Sequence, residues 1–221
     1  VSAKRVSIID YGMGNLYSVK CACDKVGLDS RITDSPQEVE RSCAVILPGV
    51  GAYGQAMEAL RQRGLITTLR KTVEQGKPFM GICLGMQLMM SVSHEFGTHE
   101  GLGIFAGSVN KLQTSAQGER TLKVPHIGWN QVSPPRGSST DNPWKNTPLK
   151  QVPLGSKMYF VHSYYVAPED QSIALTSTEY AGTTFCSGLG KDNIWGFQFH
   201  PERSGPEGMS VYRAFACRAI H

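Results

Sequence analysis

Apolar positions along this chain fall into two regimes. In the first, short and largely apolar runs at Val6–Ile9, 44–47 and 79–82 alternate with longer amphipathic stretches. Runs of that length between turn residues predict buried strands. Ser30–Thr33 predicts one more short strand. The stretches 16–26 (closed by Gly27), 53–61 and Leu65–Glu74 carry helical spacing, and 84–90 is rich in good helix formers. Strand–helix alternation of this kind predicts a mostly parallel central sheet with right-handed crossovers and helices on both faces. In the second regime, 103–112, 121–124, 157–166 and 173–177 predict strands without long helices between them. That adds a smaller antiparallel portion. The segment 133–148, rich in Pro, Ser, Gly and Asn, predicts a surface loop; 193–199 predicts a last strand and 209–219 a closing helix. The whole reads as one α/β domain over residues 1–221, with no internal repeat.

Composition narrows the partners. Among 221 residues, 22 basic against 18 acidic side chains leave a net charge of +4, and the basic residues are scattered. A scattered balance argues against a nucleic-acid partner. No apolar run is long enough for a membrane span, and the first twenty residues lack a secretory apolar core. The six cysteines (Cys21, Cys23, Cys43, Cys83, Cys186 and Cys217) form no metal-ligand spacing, so no metal is expected. A chain this long does not need disulfide staples, and reduced thiols in a cytoplasmic protein fit best. Gly12-x-Gly14 invites a dinucleotide reading, but Tyr17 stands where the third glycine belongs.

The chemistry gathers at Gly81-Ile82-Cys83-Leu84-Gly85. A single nucleophile between two glycines, after an apolar run and before helix formers, is the nucleophile-elbow pattern. It holds the sulfur at the first turn of a helix, where free amides favour a thiolate. The bland reading is a buried structural cysteine. An ordinary thiol is mostly protonated at neutral pH and needs a base. His200 follows an apolar strand, and Glu202, held near it by Pro201, can fix the tautomer of an imidazole. Pro48-Gly49-Val50-Gly51 follows another strand; the amides of Val50 and Leu84 are candidate oxyanion donors. Taken alone, that loop is equally a type II turn.

Three of these stretches in order, Pro48-Gly49-Val50-Gly51, Gly81-Ile82-Cys83-Leu84-Gly85-Met86-Gln87 and His200-Pro201-Glu202, resemble the triad-type (class I) glutamine amidotransferases. Three more narrow the resemblance. Asp10-Tyr11-Gly12-Met13-Gly14-Asn15, Pro125-His126-Ile127-Gly128-Trp129-Asn130 and Tyr159-Phe160-Val161-His162-Ser163-Tyr164 are similar to the glutaminase part of imidazole glycerol phosphate synthase. The resemblance implies a flavodoxin-like fold and a catalytic triad of Cys83, His200 and Glu202. It implies L-glutamine as substrate, held by Gly49, Gly51, Gln87, Glu95, His162, Ser163 and Tyr164, with no cofactor. It also implies a (β/α)₈-barrel cyclase partner, met by Asn15, Pro125, His126, Trp129 and Arg203, which receives the ammonia for histidine biosynthesis. Trp129 is expected on a loop-like stretch between strands.

The chain departs from the common pattern at His94, where an acidic residue is more usual, and in the length of the 133–150 loop. His162-Ser163-Tyr164-Tyr165 and Gly128-Trp129-Asn130-Gln131 also resemble a paralogous group that supplies ammonia to amidino-sugar synthesis on surface polysaccharides. Another cysteine hydrolase or a non-catalytic regulatory subunit is the alternative of a different class.

Overall fold

The computed structural model describes residues 5–113, 116–117, 120–121, 123–138 and 143–220. The first half runs β1 (Val6–Ile9), α1 (Leu16–Lys25), β2 (Ser30–Thr33), α2 (Pro36–Arg41), β3 (Ala44–Gly49), α3 (Tyr53–Gln62), α4 (Leu65–Glu74), β4 (Phe79–Cys83) and α5 (Leu84–Leu88). The second half runs β5 (Met90–Ser93), β6 (His99–Glu100), β7 (Phe105–Lys111), β8 (Ala116–Gln117), β9 (Arg120–Thr121), β10 (His126–Gln131) and β11 (Lys157–His162). It then continues through β12 (Tyr164–Pro168), β13 (Ala174–Tyr180), β14 (Thr183–Lys191) and β15 (Ile194–Phe197) to the long closing helix α6 (Gly205–Ile220).

One sheet organises the chain, in the order β2-β1-β3-β4-β15-β14-β12-β7-β5-β6, with β13 on β14. Strands β2, β1, β3, β4 and β15 are mutually parallel. Beyond β15 the pairing turns antiparallel, except between β5 and β7. The antiparallel portion therefore extends the same sheet, while β10 and β11 form a separate two-stranded ribbon. Strand alternation sends side chains to two cores. Val6, Ile8, Ile46 and Ile82 pack under α1 and α6, against Val19, Cys23, Tyr212 and Phe215. Ile9, Val45, Leu47 and Phe79 pack under α2, α3 and α4, against Val39, Tyr53, Leu60 and Leu69.

Several elements differ from expectation. The helix expected over 84–90 stops at Leu88, because the Met89 carbonyl accepts from the Ile104 and Phe105 amides and draws Met90 into β5. Tertiary pairing overrides local propensity there. The strand expected over 157–166 breaks at Ser163: β11 pairs with β10, and β12 crosses to β7. The strand expected over 121–124 lies partly outside the described residues; Thr121 closes the β8–β9 hairpin, and the next strand starts at His126. Central strand β14 and helix α2 were not expected. Ser35, Pro36 and Glu38 start α2 as a capping sequence, with Ser35 accepting from the Glu38 amide, but Val39 is its only buried residue. Within the 133–148 segment Trp144 is buried, its Nε1 donating to the Leu175 carbonyl at 2.7 Å. No helix among the described residues is long and apolar enough to cross a membrane.

Candidate active site

The carboxyl ends of β3, β4 and β15 lie side by side and deliver the reactive groups. Cys83 ends β4 with φ +54° and ψ −110°, a conformation that costs a non-glycine residue about 1–3 kcal/mol. The flanking glycines are there because nothing larger fits. A Cβ at Gly85 meets the Leu47 carbonyl oxygen at 1.7 Å, and one at Gly81 meets Met89 Sδ at 2.5 Å. The elbow is thus wedged between β3 and α5, with Gly49 directly opposite Cys83 in the β3–β4 register. Tyr11 donates its hydroxyl to the Pro48 carbonyl at 2.9 Å and braces the start of the Pro48-Gly49-Val50-Gly51 loop.

His200 sits just past β15, its amide donating to the Tyr159 carbonyl of β11 and its carbonyl accepting from the Ser204 hydroxyl at 2.7 Å. Ser204 in turn accepts from the Tyr159 amide at 3.0 Å, so β11 and the turn before α6 hold the His200 backbone from both sides. His200 Nδ1 lies 2.8 Å from Glu202 Oε1, and both side chains are almost completely buried. A carboxylate at Nδ1 fixes the proton there and leaves Nε2 as the basic nitrogen. Nε2 is buried. Burial works against the imidazolium. Hydrogen bonding and charge from Cys83, then from Glu202, outweigh it and hold the His200 pKa above its ordinary value.

Cys83 opens onto a cavity of about 240 Å³ lined by Val50, Gly51, Leu84, Gln87, Glu95, Pro125, Val161, His162, Ser163 and Tyr164. Residues far apart in the sequence, from Val50 to Tyr164, thus share one pocket with the sulfur. Glu95 also accepts from the Tyr53 amide, so it caps α3, whose own N-cap Ala52 offers no side-chain acceptor. Pro125, expected at a partner face, is a wall of this cavity. His126, expected on the same face, is only 2% exposed.

His126 turns inward because β10 alternates the opposite way from a typical amphipathic strand: polar His126 and Asn130 face in, and Ile127 and Trp129 face out. Its Nδ1 lies 3.0 Å from His162 Nε2, and His162 Nδ1 lies 2.9 Å from the Tyr164 carbonyl. A carbonyl only accepts, so His162 carries its proton on Nδ1 and accepts from His126 Nδ1–H. His126 Nε2 then accepts from Asn130 Nδ2, 3.3 Å away. Burial lowers the pKa of His126 to about 4 and is the largest cause taking His162 to about 3, so both rings are neutral at neutral pH, as this chain requires.

Trp129 lies on strand β10, not on a loop, and is 54% exposed beside Ile127 at 61%. Its ring packs edge-on to Tyr159, and the Arg203 guanidinium stands 4.3 Å over the same Tyr159 ring. Asn15 is exposed and caps α1, accepting from the Ser18 amide. Sequence reasoning missed Ile127, Val161 and Gln198. Gln198, fully buried beside the sulfur, had a legible signal: an amide in the middle of the apolar run Trp195-Gly196-Phe197-Gln198-Phe199. None of the six cysteines forms a disulfide; Cys21 is exposed and Cys23, two residues on, is buried. No group of side chains arranged for a metal occurs among the described residues.

Comparison with known proteins bears on the whole chain. A family profile described as "Glutamine amidotransferase class-I" matches residues 7–219. The imidazole glycerol phosphate synthase subunit HisH of Moorella thermoacetica is 42% identical, over 95% of this chain and 93% of that protein. The HisH subunit of Syntrophotalea carbinolica is 44% identical, over 95% and 98%. Among solved structures, one titled as a glutamine amidotransferase superposes with a TM-score of 0.70 at 17% identity, covering 98% of this chain and 99% of that one. A chain of the PurLQS structure from Thermotoga maritima superposes with a TM-score of 0.70 at 19% identity, covering 96% and 97%. The two structural matches speak to the fold alone.

Proposed function

The chain belongs to the class-I glutamine amidotransferases and, within them, to the HisH subunits of imidazole glycerol phosphate synthase, and from that premise we propose a residue-by-residue course for its glutaminase reaction. The supporting observation is the strained Cys83, backed by the His200–Glu202 pair and opening onto the Gln87–Glu95–Tyr164 cavity. The Cys83 thiol gives its proton to His200 Nε2, and the sulfur attacks the side-chain carboxamide carbon of glutamine. The Leu84 and Val50 amides receive the oxyanion. His200 then returns the proton to the departing nitrogen, releasing ammonia and leaving a thioester. Water attacks the thioester, gives a proton to His200, and frees glutamate and the thiol. Glutamine and water are consumed; glutamate and ammonia are formed. Gly49 and Gly51 admit the substrate past the loop, and Gln87, Glu95, His162, Ser163 and Tyr164 hold it.

The chain works as the ammonia-supplying subunit of a histidine-pathway enzyme in the cytoplasm, as one domain. Its partner is a (β/α)₈-barrel cyclase docked on the β10–β11 ribbon around Trp129, Ile127 and Arg203. Ammonia released into water becomes mostly ammonium, which is not a nucleophile, so docking must seal the path. In the complex, Cys83→Ala should abolish glutamate formation and leave synthesis from added ammonium salt intact. Equal loss of both would remove the division of labour.

A further inference from the structure

We propose that Gln198 is a further catalytic residue: its side-chain N–H donates to the Cys83 sulfur and stabilises the attacking thiolate. Gln198 Nε2 lies 3.7 Å from Cys83 Sγ, and the residue is fully buried. It stands two residues before His200, just past the end of β15.

The amide's orientation is dictated by its neighbours. The Tyr164 carbonyl can only accept, so the Gln87 atom 2.8 Å from it is the amide nitrogen. That nitrogen is 3.1 Å from the Gln198 side chain, which must therefore present its oxygen to Gln87. The Gln198 nitrogen is left facing the sulfur. The same Tyr164 carbonyl accepts from His162 Nδ1, so one backbone oxygen orients both arms of the network.

The second contact of the sulfur has the opposite preference. The Cys83 thiol donates to the Val161 carbonyl at 3.7 Å, a contact available only while the proton is present. When the proton moves to His200 Nε2, the electron pair stays on sulfur and the Gln198 N–H meets it. No bond to Gln198 forms or breaks. A donor to a charged acceptor is about twice as strong as one to a neutral acceptor, so Gln198 favours ionisation. The inference deepens the glutaminase reading, which supplies only the identity of the electrophile.

The test uses iodoacetamide on the full-length chain. Peptide mass spectrometry follows alkylation of Cys83 apart from the other cysteines across a pH series. Gln198→Met should shift the Cys83 profile upward and slow alkylation at neutral pH by about tenfold or more, and Gln198→Glu should slow it further. Unchanged profiles in folded variants would overturn the proposal. If neither variant folds, the wild-type chain decides. The Gln198 side-chain amide resonance should move with Cys83 ionisation and on Cys83 alkylation; a resonance indifferent to both would overturn the proposal. Because iodoacetamide is not glutamine, a shifted profile in a chain that never releases glutamate would keep this assignment and remove the glutaminase reading instead.

Discussion

His126 Nδ1 stands 3.0 Å from His162 Nε2, and the two rings join the outward-facing β10 strand to the wall of the Cys83 cavity. The contact needs a neutral His162 Nε2, and a neutral His126 is needed for its other ring nitrogen to accept from Asn130. Burial depresses His126 to about 4 and is the main cause that depresses His162 to about 3. An unfolded chain binds protons at these rings below about pH 6.5; the folded chain resists until much lower pH. Their contribution to stability is therefore complete above about pH 6.5 and lost as the pH falls toward the folded values. One pH unit into that window the cost is about 1.4 kcal/mol per ring. His200 is shifted the other way, so its contribution is complete below about 6.5 and fades as pH rises through its elevated folded value. The melting temperature should fall between about pH 6.5 and about pH 5, above most of the carboxylate range. A flat or rising melting temperature there would count against the neutral pair.

Gly85→Ala tests the elbow. A Cβ there meets backbone, the Leu47 carbonyl oxygen at 1.7 Å, so no side-chain rotation relieves it. We expect destabilisation of about 2 kcal/mol or more, by the measure of overpacked cores, and loss of glutaminase activity beyond what the unfolded fraction explains. A variant of normal activity and melting temperature would show that the elbow is looser than its geometry.

Glu202→Gln tests the base. The carboxylate at His200 Nδ1 fixes the tautomer and supports the imidazolium. We expect kcat in the complex to fall about a hundredfold or more, with KM for glutamine little changed. A rise in KM at constant kcat would instead place Glu202 in substrate binding.

Trp129→Ala tests the docking face. The ring is half exposed and packs edge-on to Tyr159. Calorimetry with the cyclase subunit should show affinity reduced about thirtyfold or more, as for a hot-spot aromatic, with the melting temperature of the free chain nearly unchanged. A large fall in melting temperature with unchanged affinity would make Trp129 a support for the ribbon rather than a contact.

Much of this was legible from local pattern. The runs at β1, β3 and β4 are apolar because both sheet faces are covered, and Gly81 and Gly85 marked the elbow by composition alone. What stayed hidden depended on distant partners. β10 reads as a loop because its inward residues are His126 and Asn130, whose polarity is satisfied by His162 and by the Glu179 carbonyl. The break at Ser163 is silent because alternation continues unchanged while the strand passes from ribbon to sheet. Gln198 was passed over as one polar residue in an apolar strand, although a buried amide must find partners.

The most direct test is incubation with an electrophilic glutamine analogue followed by mass spectrometry of all six cysteine-containing sites. Stoichiometric labelling of Cys83 alone, blocked by glutamine and greatly slowed in His200→Ala, is the predicted result. Labelling at another cysteine, or a Cys83 that reacts equally well without His200, would contradict the account.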